Sequence, residues 1–303
     1  MTRVAAVDCG TNSIRLLVAD VIGETLTDVV RRMEIVRLGQ GVDRTGRLAP
    51  EAIERTRLAL DDYTAQLNYL GAERVRMVAT SASRDAGNAA DFRAMVLDTL
   101  GVTPDVITGD EEARLSFTGA VRGLAGAEPP YLVADIGGGS TELVLGTSTV
   151  DAARSVDVGC VRMTERHLHD DPPTAGQIAA AEKDIAEAIT LARETVPVER
   201  ARTFVGLAGS VTTVAALALE LPAYDAAAIH HSRISYEQVA TVTASLLAAT
   251  RAERAALPVM HPGRVDVIGA GALVLRVLME QVGADHVVAS EHDILDGIAF
   301  SIA

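Results

Sequence analysis

The feature that most constrains this chain is a motif that occurs twice. The segments VAAVDCGTNSIRLLV, residues 4–18, and LVADIGGGSTELVL, residues 132–145, each place an aspartate and glycine between two apolar runs. Aligned without gaps, the two copies match at four positions, which are Asp8 on Asp135, Gly10 on Gly137, Ser13 on Ser140 and Leu16 on Leu143. Self-similarity of this kind predicts a structural unit that the chain builds twice.

The order of apolar and polar segments predicts an α/β protein with two domains. Strand patterns alternate with helix patterns, among them a polar helix that Pro50 begins and Gly71 ends. A chain of 303 residues exceeds one typical hydrophobic core. The segment RGLAGAEPP, residues 122–130, has the composition of a linker and precedes the second motif copy. We therefore predict domains at residues 1–125 and 126–303, and the last helix of the second could pack back on the first.

Charge and hydropathy exclude several classes of protein. A formal net charge of −14 disfavours a nucleic-acid partner, because such binding depends on clustered cations. No apolar run reaches the roughly eighteen residues of a transmembrane helix, and the first residues lack the layout of a signal peptide. We therefore expect no membrane partner and a cytoplasmic location. Cys9 and Cys160 lie too far apart to suggest a disulfide framework or a thiolate zinc site.

The glycine-rich turn of the second copy predicts a phosphate-binding loop. Gly137, Gly138 and Gly139 allow positive φ and lack Cβ atoms, so successive backbone N–H groups can point into one concavity. Ser140 and Thr141 add hydroxyl donors. The alternative is a tight hairpin turn, but one glycine or an Asn-Gly pair would suffice for it. Three consecutive glycines therefore favour phosphate.

The first copy predicts the same chemistry with fewer glycines. Its polar turn consists of Gly10, Thr11, Asn12 and Ser13. Neither copy has the glycine spacing of a dinucleotide-binding turn or the lysine of a Walker loop. Any phosphate would therefore be held by backbone amides, hydroxyls, metal ions and a few arginines.

Aspartates at the strand ends are candidate metal ligands. Asp8 and Asp135 each close an apolar strand, where a carboxylate is costly unless it has a partner or a task. Facing each other, the two could hold Mg²⁺ through waters against substrate phosphates. An aspartate that caps the turn backbone is the alternative for either one alone.

Two further segments carry candidate catalytic groups. In ITGDEEARLSF, residues 107–117, Asp110, Glu111 and Glu112 crowd a predicted helix start, which the helix dipole alone would favour. A glutamate beside bound phosphate could instead take a proton from an attacking water. Arg84, in the loop TSASRDAGN after a strand, is either a phosphate clamp or a surface arginine.

Taken together, these motifs resemble the exopolyphosphatase/guanosine pentaphosphate phosphohydrolase (Ppx/GppA) family, a branch of the acetate kinase, sugar kinase, Hsp70 and actin superfamily. The resemblance covers essentially the whole chain and rests on seven motifs in the family's order, VDCGTNSIRLLV, ATSASRDAGN, ITGDEEARLSF, DIGGGSTELV, GLAGSVTTVAAL, RVDVIGAGALVL and SEHDILDGIA. It implies an α/β fold with two ribonuclease H-like (actin-like ATPase) domains flanking a central cleft. It also implies a homodimer.

The resemblance assigns roles to single residues. Glu112 matches the family's general base, and Arg84 matches its phosphate-contacting arginine. The implied metal ligands for Mg²⁺ or Mn²⁺ are Asp8, Asp135 and Glu142, and Glu142 joins Glu112 as a catalytic residue. The implied phosphate contacts, besides Arg84, are Gly10, Thr11, Asn12, Ser13, Gly137, Gly138, Gly139, Ser140 and Thr141.

The resemblance implies an exopolyphosphatase that releases terminal orthophosphate from inorganic polyphosphate by metal-assisted attack of water. Longer family members carry additional C-terminal helical domains, so this two-domain form is expected to act on short chains. One alternative is a pppGpp 5′-phosphohydrolase, although aromatic residues that could stack a guanine make up only 3% of the chain. Less favoured alternatives are an ATP-binding, kinase-like protein, since GLAGSVTTVAAL occupies the place of the superfamily's adenosine loop, and a silent alarmone sensor.

Overall fold

The chain folds into two compact units, each built on its own β-sheet. The structure, a computed structural model, describes residues 1–23, 25–124 and 126–303. One unit comprises Met1–Gly119 together with Asp293–Ala303, and the other comprises Ala120–His292. Ala125, at the predicted boundary between residues 125 and 126, lies outside the described residues, and that boundary stays a prediction.

The first unit has a five-stranded sheet in the order β3-β2-β1-β4-β5. Its elements up to the second unit are β1 (Thr2–Cys9), β2 (Ser13–Ile22), β3 (Thr25–Ile35), α1 (Val42–Thr45), α2 (Pro50–Leu70), β4 (Arg74–Ala79), α3 (Ser81–Asp85), α4 (Ala89–Leu100), β5 (Asp105–Val106) and α5 (Gly109–Val121). The first three strands pair antiparallel, whereas β4 runs parallel to β1 and β5 runs parallel to β4.

The central strand β1 is apolar from Val4 to Val7 because both of its faces are covered there. Ala5, Val7 and Cys9 belong to a core cluster on one face, while Val4 and Ala6 belong to a second cluster on the other. Alternate side chains of a strand point to opposite faces, so a strand buried on both sides has an unbroken apolar sequence. The unbroken apolar run at the start of the chain therefore marks the centre of a sheet.

The second unit repeats this arrangement and adds one edge strand. Its elements are β6 (Tyr131–Ile136), β7 (Thr141–Gly146), β8 (Val150–Val156), α6 (Cys160–His167), α7 (Ala175–Arg193), β9 (Thr203–Leu207), α8 (Ala208–Ala218), α9 (Ala226–Ile229), β10 (Arg233–Ser235), α10 (Tyr236–Ala248), α11 (Arg251–Ala255), α12 (Ile268–Val282) and β11 (His286–Ala289). The strand order is β10-β11-β9-β6-β7-β8. Two antiparallel strands lie on one side of β6, and the parallel strand β9 lies on the other.

The two sheets confirm the predicted α/β class and the predicted duplication. In each, the strand that carries the motif aspartate is internal, with two antiparallel strands on one side and two parallel strands on the other, beyond which the second sheet adds the antiparallel edge strand β10. This is the strand order of a ribonuclease H-like domain. The predicted helix from Pro50 to Leu70 is also confirmed, and Gly71 ends it in the left-handed conformation at φ 68°.

The last helix, α13 (Ile294–Ser301), belongs to the first unit and packs on β1 and β2. Gly119 of α5 and Gly297 of α13 bring the two helices into backbone contact. A Cβ built at Gly297 would collide with the carbonyl oxygen of Leu115, and one at Gly119 would collide with that of Asp293. These glycines therefore let α13 lie directly against α5. In the described ranges, no helix combines the length and the apolar character needed to cross a bilayer.

Candidate active site

In the first unit, the predicted site residues gather where three parallel strands end. Asp8 is the penultimate residue of β1, α3 follows β4 after one residue, and α5 follows β5. The backbone N–H of Ile107 donates to the carbonyl of Ala79, 3.1 Å away, which joins the ends of β5 and β4. In α/β sheets, ligands bind outside the carboxyl ends of the strands.

Asp8 is a buried carboxylate in which the described hydrogen bonds all go to one oxygen, Oδ2. It lies opposite Arg15 in the β1–β2 pair, and its Oδ2 accepts hydrogen bonds from Arg15 Nη2 at 2.7 Å and Nε at 3.0 Å. Its Oδ1 is buried, and no group among the described residues forms a hydrogen bond with it. Burial raises the pKa of Asp8, Arg15 opposes that rise, and Asp293 adds to it. Asp8 therefore does not cap its own turn, and Oδ1 has the character of a ligand atom.

In the first motif turn, the carbonyls of Thr11 and Asn12 accept hydrogen bonds from residues outside the turn. The N–H of Gly10 donates to the carbonyl of Ser13 at 3.0 Å, closing the turn. The carbonyl of Thr11 accepts from the N–H of Gly39, and that of Asn12 accepts from the N–H groups after β3. Among the described residues, no group accepts from the N–H of Thr11 or Asn12, and Asn12 Oδ1 is buried without a partner. Such donors are suited to an anion.

Arg84 and Glu112 form a contact pair. Arg84 Nη1 donates to Glu112 Oε2 at 3.2 Å and to the carbonyl of Ile107 at 3.0 Å. Glu112 is 8% exposed. In the described part of the chain, Nε and Nη2 of Arg84 have no acceptor, so they can meet a phosphate while Nη1 steadies the glutamate.

Two serines beside Arg84 were not predicted from the sequence. Ser81 Oγ and Thr11 Oγ1 are hydrogen-bonded at 2.9 Å, which ties the first motif turn to α3. Ser83 Oγ is buried and has no hydrogen-bond partner within residues 1–23, 25–124 and 126–303. The signal that could have revealed them is the hydroxyl run Thr80-Ser81-Ala82-Ser83 directly after a strand.

In the second unit, the glycine turn is anchored by the start of α6. The carbonyls of Gly137 and Gly138 accept from the N–H groups of Cys160 and Val161 at 3.0 and 2.9 Å. Arg162 Nε donates to the carbonyl of Gly139 at 2.7 Å. All three glycine carbonyls thus turn toward α6, and no described group accepts from the N–H of Gly138 or Gly139. The N–H groups of Gly138 and Gly139 are therefore available to an anion.

Of the two reasons predicted for glycine at position 137, the structure supports the lack of a Cβ and not the positive φ. Gly137 does not adopt the left-handed conformation, but a Cβ there would lie 3.1 Å from the carbonyl oxygen of Ser140. The N–H of Gly137 donates to that same carbonyl at 3.0 Å, as Gly10 does to Ser13. Close approach therefore explains this glycine. The hydroxyl of Thr141 donates to the carbonyl of Val158 at 2.7 Å, so its proton already has a partner within the fold.

Asp135 and Glu142 form a pair of buried carboxylates across two strands. They are register partners in the β6–β7 pair and are 7% and 1% exposed. Glu142 Oε1 accepts a hydrogen bond from Ser155 Oγ at 2.7 Å. Directly opposite residues of antiparallel strands share one face, with Cβ atoms about 5 Å apart. Two such carboxylates repel each other unless a proton or a cation lies between them.

The carboxylate donors fit Mg²⁺, which also takes water and substrate oxygens as ligands, better than a metal whose ligands all come from the protein. Among the described residues, no group of three or more His, Cys, Asp and Glu side chains is arranged to hold a metal. Mg²⁺ is usually bound by one or two carboxylates plus water and substrate phosphates. Within the first unit, Asp8 offers one such carboxylate, and within the second unit the Asp135–Glu142 pair offers two. Mg²⁺ or Mn²⁺ stays a prediction.

The predicted site residues thus fall into one group per unit. The first group is Asp8, Gly10, Thr11, Asn12, Ser13, Arg84 and Glu112, and the second is Asp135, Gly137, Gly138, Gly139, Ser140, Thr141 and Glu142. Each group lies at the end of the central strand of its own sheet or beside it. That both groups serve one cleft stays a prediction.

Comparison with known proteins points to one family. The model of the Ppx/GppA phosphatase family matches residues 17–303. Exopolyphosphatase 2 of Mycobacterium tuberculosis is 57% identical, and the alignment covers 100% of this chain and 99% of that protein. The crystal structure of an exopolyphosphatase-like protein is 43% identical, with a TM-score of 0.96 over 99% of this chain and 97% of that one. The Aquifex aeolicus PPX-GPPA enzyme is 31% identical, with a TM-score of 0.82 over 99% of both chains.

Proposed function

Because the chain belongs to the Ppx/GppA phosphatase family, we propose that it is an exopolyphosphatase that releases terminal orthophosphate from inorganic polyphosphate. The observation that carries this proposal is the identity of 57% with Exopolyphosphatase 2 of Mycobacterium tuberculosis over nearly the full length of both chains. The geometry of the two site groups agrees with the chemistry that this activity requires.

Transfer of a phosphoryl group to water requires positioning, neutralisation of charge and an aligned nucleophile. We assign the first to the open N–H groups of Thr11, Asn12, Gly138 and Gly139, which can hold phosphate oxygens. Bound Mg²⁺ would supply charge neutralisation, with Asp8, Asp135 and Glu142 as its ligands.

The nucleophile is assigned to a water beside Glu112. The carboxylate is nearly buried and is held at Oε2 by Arg84, so its orientation is set before substrate arrives. A glutamate in this position can orient a water and accept its proton during attack. Arg84 contacts both the base and, through its remaining nitrogens, the phosphate, which would bring the two reactants into line.

Phosphate release from three substrates tests the proposal. We expect Mg²⁺-dependent release of orthophosphate from tripolyphosphate and from long polyphosphate, at a higher kcat/KM than from pppGpp. Removal of the metal with EDTA should bring the rate to background, and added Mg²⁺ should restore it. The comparison of tripolyphosphate with long polyphosphate tests the expected preference for short chains. Hydrolysis of pppGpp alone, or release that EDTA does not change, would contradict the assignment.

The remaining family expectations belong to the same proposal. We propose a homodimer that acts in the cytoplasm and has no nucleic-acid partner, which the net charge of −14 supports. Light scattering coupled to size-exclusion chromatography tests the dimer.

A further inference from the structure

A series of hydrogen-bonded charged side chains connects the last helix of the first unit to Asp8. It begins at Asp293, the N-cap of α13, whose Oδ1 accepts a hydrogen bond from the N–H of Leu295 at 3.0 Å. The N–H of Asp293 in turn donates to Asp296 Oδ2 at 2.9 Å, which completes a capping box. Asp293 is only 5% exposed, so its remaining oxygen needs a partner inside the protein.

Arg15 is that partner, and it also holds Asp8. Its Nη1 donates to Asp293 Oδ2, while its Nε and Nη2 both donate to Asp8 Oδ2. A guanidinium is planar and rigid, so fixing one nitrogen fixes the direction of the others. Asp293 therefore constrains the orientation of Arg15. Arg15 in turn determines which oxygen of Asp8 accepts its hydrogen bonds. Asp8 Oδ1 is left buried, with no hydrogen-bond partner in the part of the chain that the structure describes.

Among the described residues, the carboxylates linked in this way outnumber the arginines that face them. Three carboxylates are almost completely buried, with Asp8 at 4%, Asp293 at 5% and Asp296 at 2% exposure. Two arginines face them, Arg15 as described and Arg31, whose Nη2 donates to Asp296 Oδ1 at 2.7 Å. In the contacts that the structure describes, these three carboxylates thus meet two guanidinium groups, and Arg31 is also shared with Asp28. An uncompensated buried charge is costly, and a cation at Asp8 Oδ1 would compensate it.

We propose that Asp293 is a positioning residue, which acts through Arg15 to direct Asp8 Oδ1 toward the cation and to keep the site electronegative. The start of α13 is thereby part of the cation site, although it is remote from Asp8 in the sequence. The inference rests on the proposed function only in taking Asp8 as a ligand of a divalent cation. Partners of ligands commonly change metal affinity about 10–100-fold when they are replaced.

The Asp293→Asn variant tests the proposal. Asparagine caps a helix as well as aspartate does, so the bond to Leu295 can persist while the charge facing Arg15 is lost. With the charge of Asp293 removed, the positive charge of Arg15 beside Asp8 is less compensated, and we expect Mn²⁺ to bind at least about tenfold more weakly. Titration calorimetry with MnCl₂ and no substrate measures this, and far-UV circular dichroism with the melting temperature reports whether the fold is intact.

Asp28→Asn is the matched control, since it removes the other carboxylate that Arg31 contacts. Asp28 accepts a hydrogen bond from Arg31 Nε at 2.7 Å, and 40% of its side chain is exposed. Because exposed ion pairs contribute little, Mn²⁺ affinity should stay within about twofold of the wild type. If Asp293→Asn does not fold, Arg15→Lys serves instead, because a lysine cannot hold both carboxylates in the same fork geometry.

Each outcome decides the inference. Weaker Mn²⁺ binding in Asp293→Asn, with the control unchanged, supports it. Equal binding in Asp293→Asn and wild type overturns it, and so does a wild type that binds no Mn²⁺ without substrate. A wild type that binds Mn²⁺ but hydrolyses no polyphosphate would overturn the proposed function and leave the positioning role standing.

Discussion

Replacement of Glu112 by glutamine is expected to reduce kcat for phosphate release from tripolyphosphate about 10³-fold, within the range typical of a general base. Glutamine has nearly the same volume, so it fits a position that is 8% exposed. Its carbonyl oxygen can still accept the hydrogen bond that Arg84 now donates to Oε2 at 3.2 Å. What it cannot do is accept a proton from water. The loss should therefore appear in kcat and leave substrate binding largely unchanged.

The neighbouring Glu111→Gln variant is the control. Glu111 pairs with Arg76 at 2.6 Å, and 44% of its side chain is exposed. Loss of such a pair costs at most about 1 kcal/mol of stability and should leave kcat unchanged. A Glu112→Gln protein with wild-type kcat would remove Glu112 from the mechanism. It would also favour the alternative of a catalytically silent sensor.

The second large effect is expected from Gly159→Ala, which should reduce phosphate release about 100-fold by displacing the glycine turn. A Cβ at Gly159 would lie 2.5 Å from the carbonyl oxygen of Gly138 and 2.8 Å from that of Gly137. Both contacts are with backbone, so no side chain can rotate away. The turn must then move, and its N–H groups with it. Overpacking of this kind also costs about 1–3 kcal/mol of unfolding free energy.

Gly176→Ala is the matched control for the same substitution. Gly176 lies in the first turn of α7, and a Cβ there would have nothing within 4 Å. Alanine in a helix should stabilise the protein by about 0.5–1 kcal/mol and leave phosphate release unchanged. Urea unfolding and the phosphate assay on both variants give the comparison. Full activity in Gly159→Ala would mean that the position of the turn does not matter for the reaction.

Much of each unit could be predicted from local sequence. The apolar run ending at Asp8 predicts a central strand, because only a strand covered on both faces needs apolar residues at every position. Pro50 and Gly71 predict the ends of α2, because the backbone conformations of proline and glycine are local properties. For Arg84 and Glu112 the local sequence left a structural alternative open, and only the resemblance to the family predicted them as site residues; their mutual contact was not predicted.

Long-range side-chain contacts could not be predicted from the sequence. Arg15 and Asp293 are 278 residues apart, and nothing in the spacing of charges along the chain pairs them. Their contact depends on α13 packing onto β1 and β2, which in turn depends on the close approach allowed by Gly119 and Gly297. Ser83 was missed for a similar reason, since its burial depends on the packing around α3.

The sequence by itself determined the duplicated α/β units, the strand ends that carry Asp8 and Asp135, and the glycine and hydroxyl chemistry of both turns, because these follow from periodicity and from the properties of single residues. Only the tertiary structure decided which carbonyls of the turns are hydrogen-bonded and which oxygen of Asp8 is not bonded to a described residue. It also decided that Asp8 pairs with Arg15. The physical reason is that hydrogen bonds and ion pairs of buried groups are satisfied by whatever the packed fold places beside them, whatever the distance along the chain.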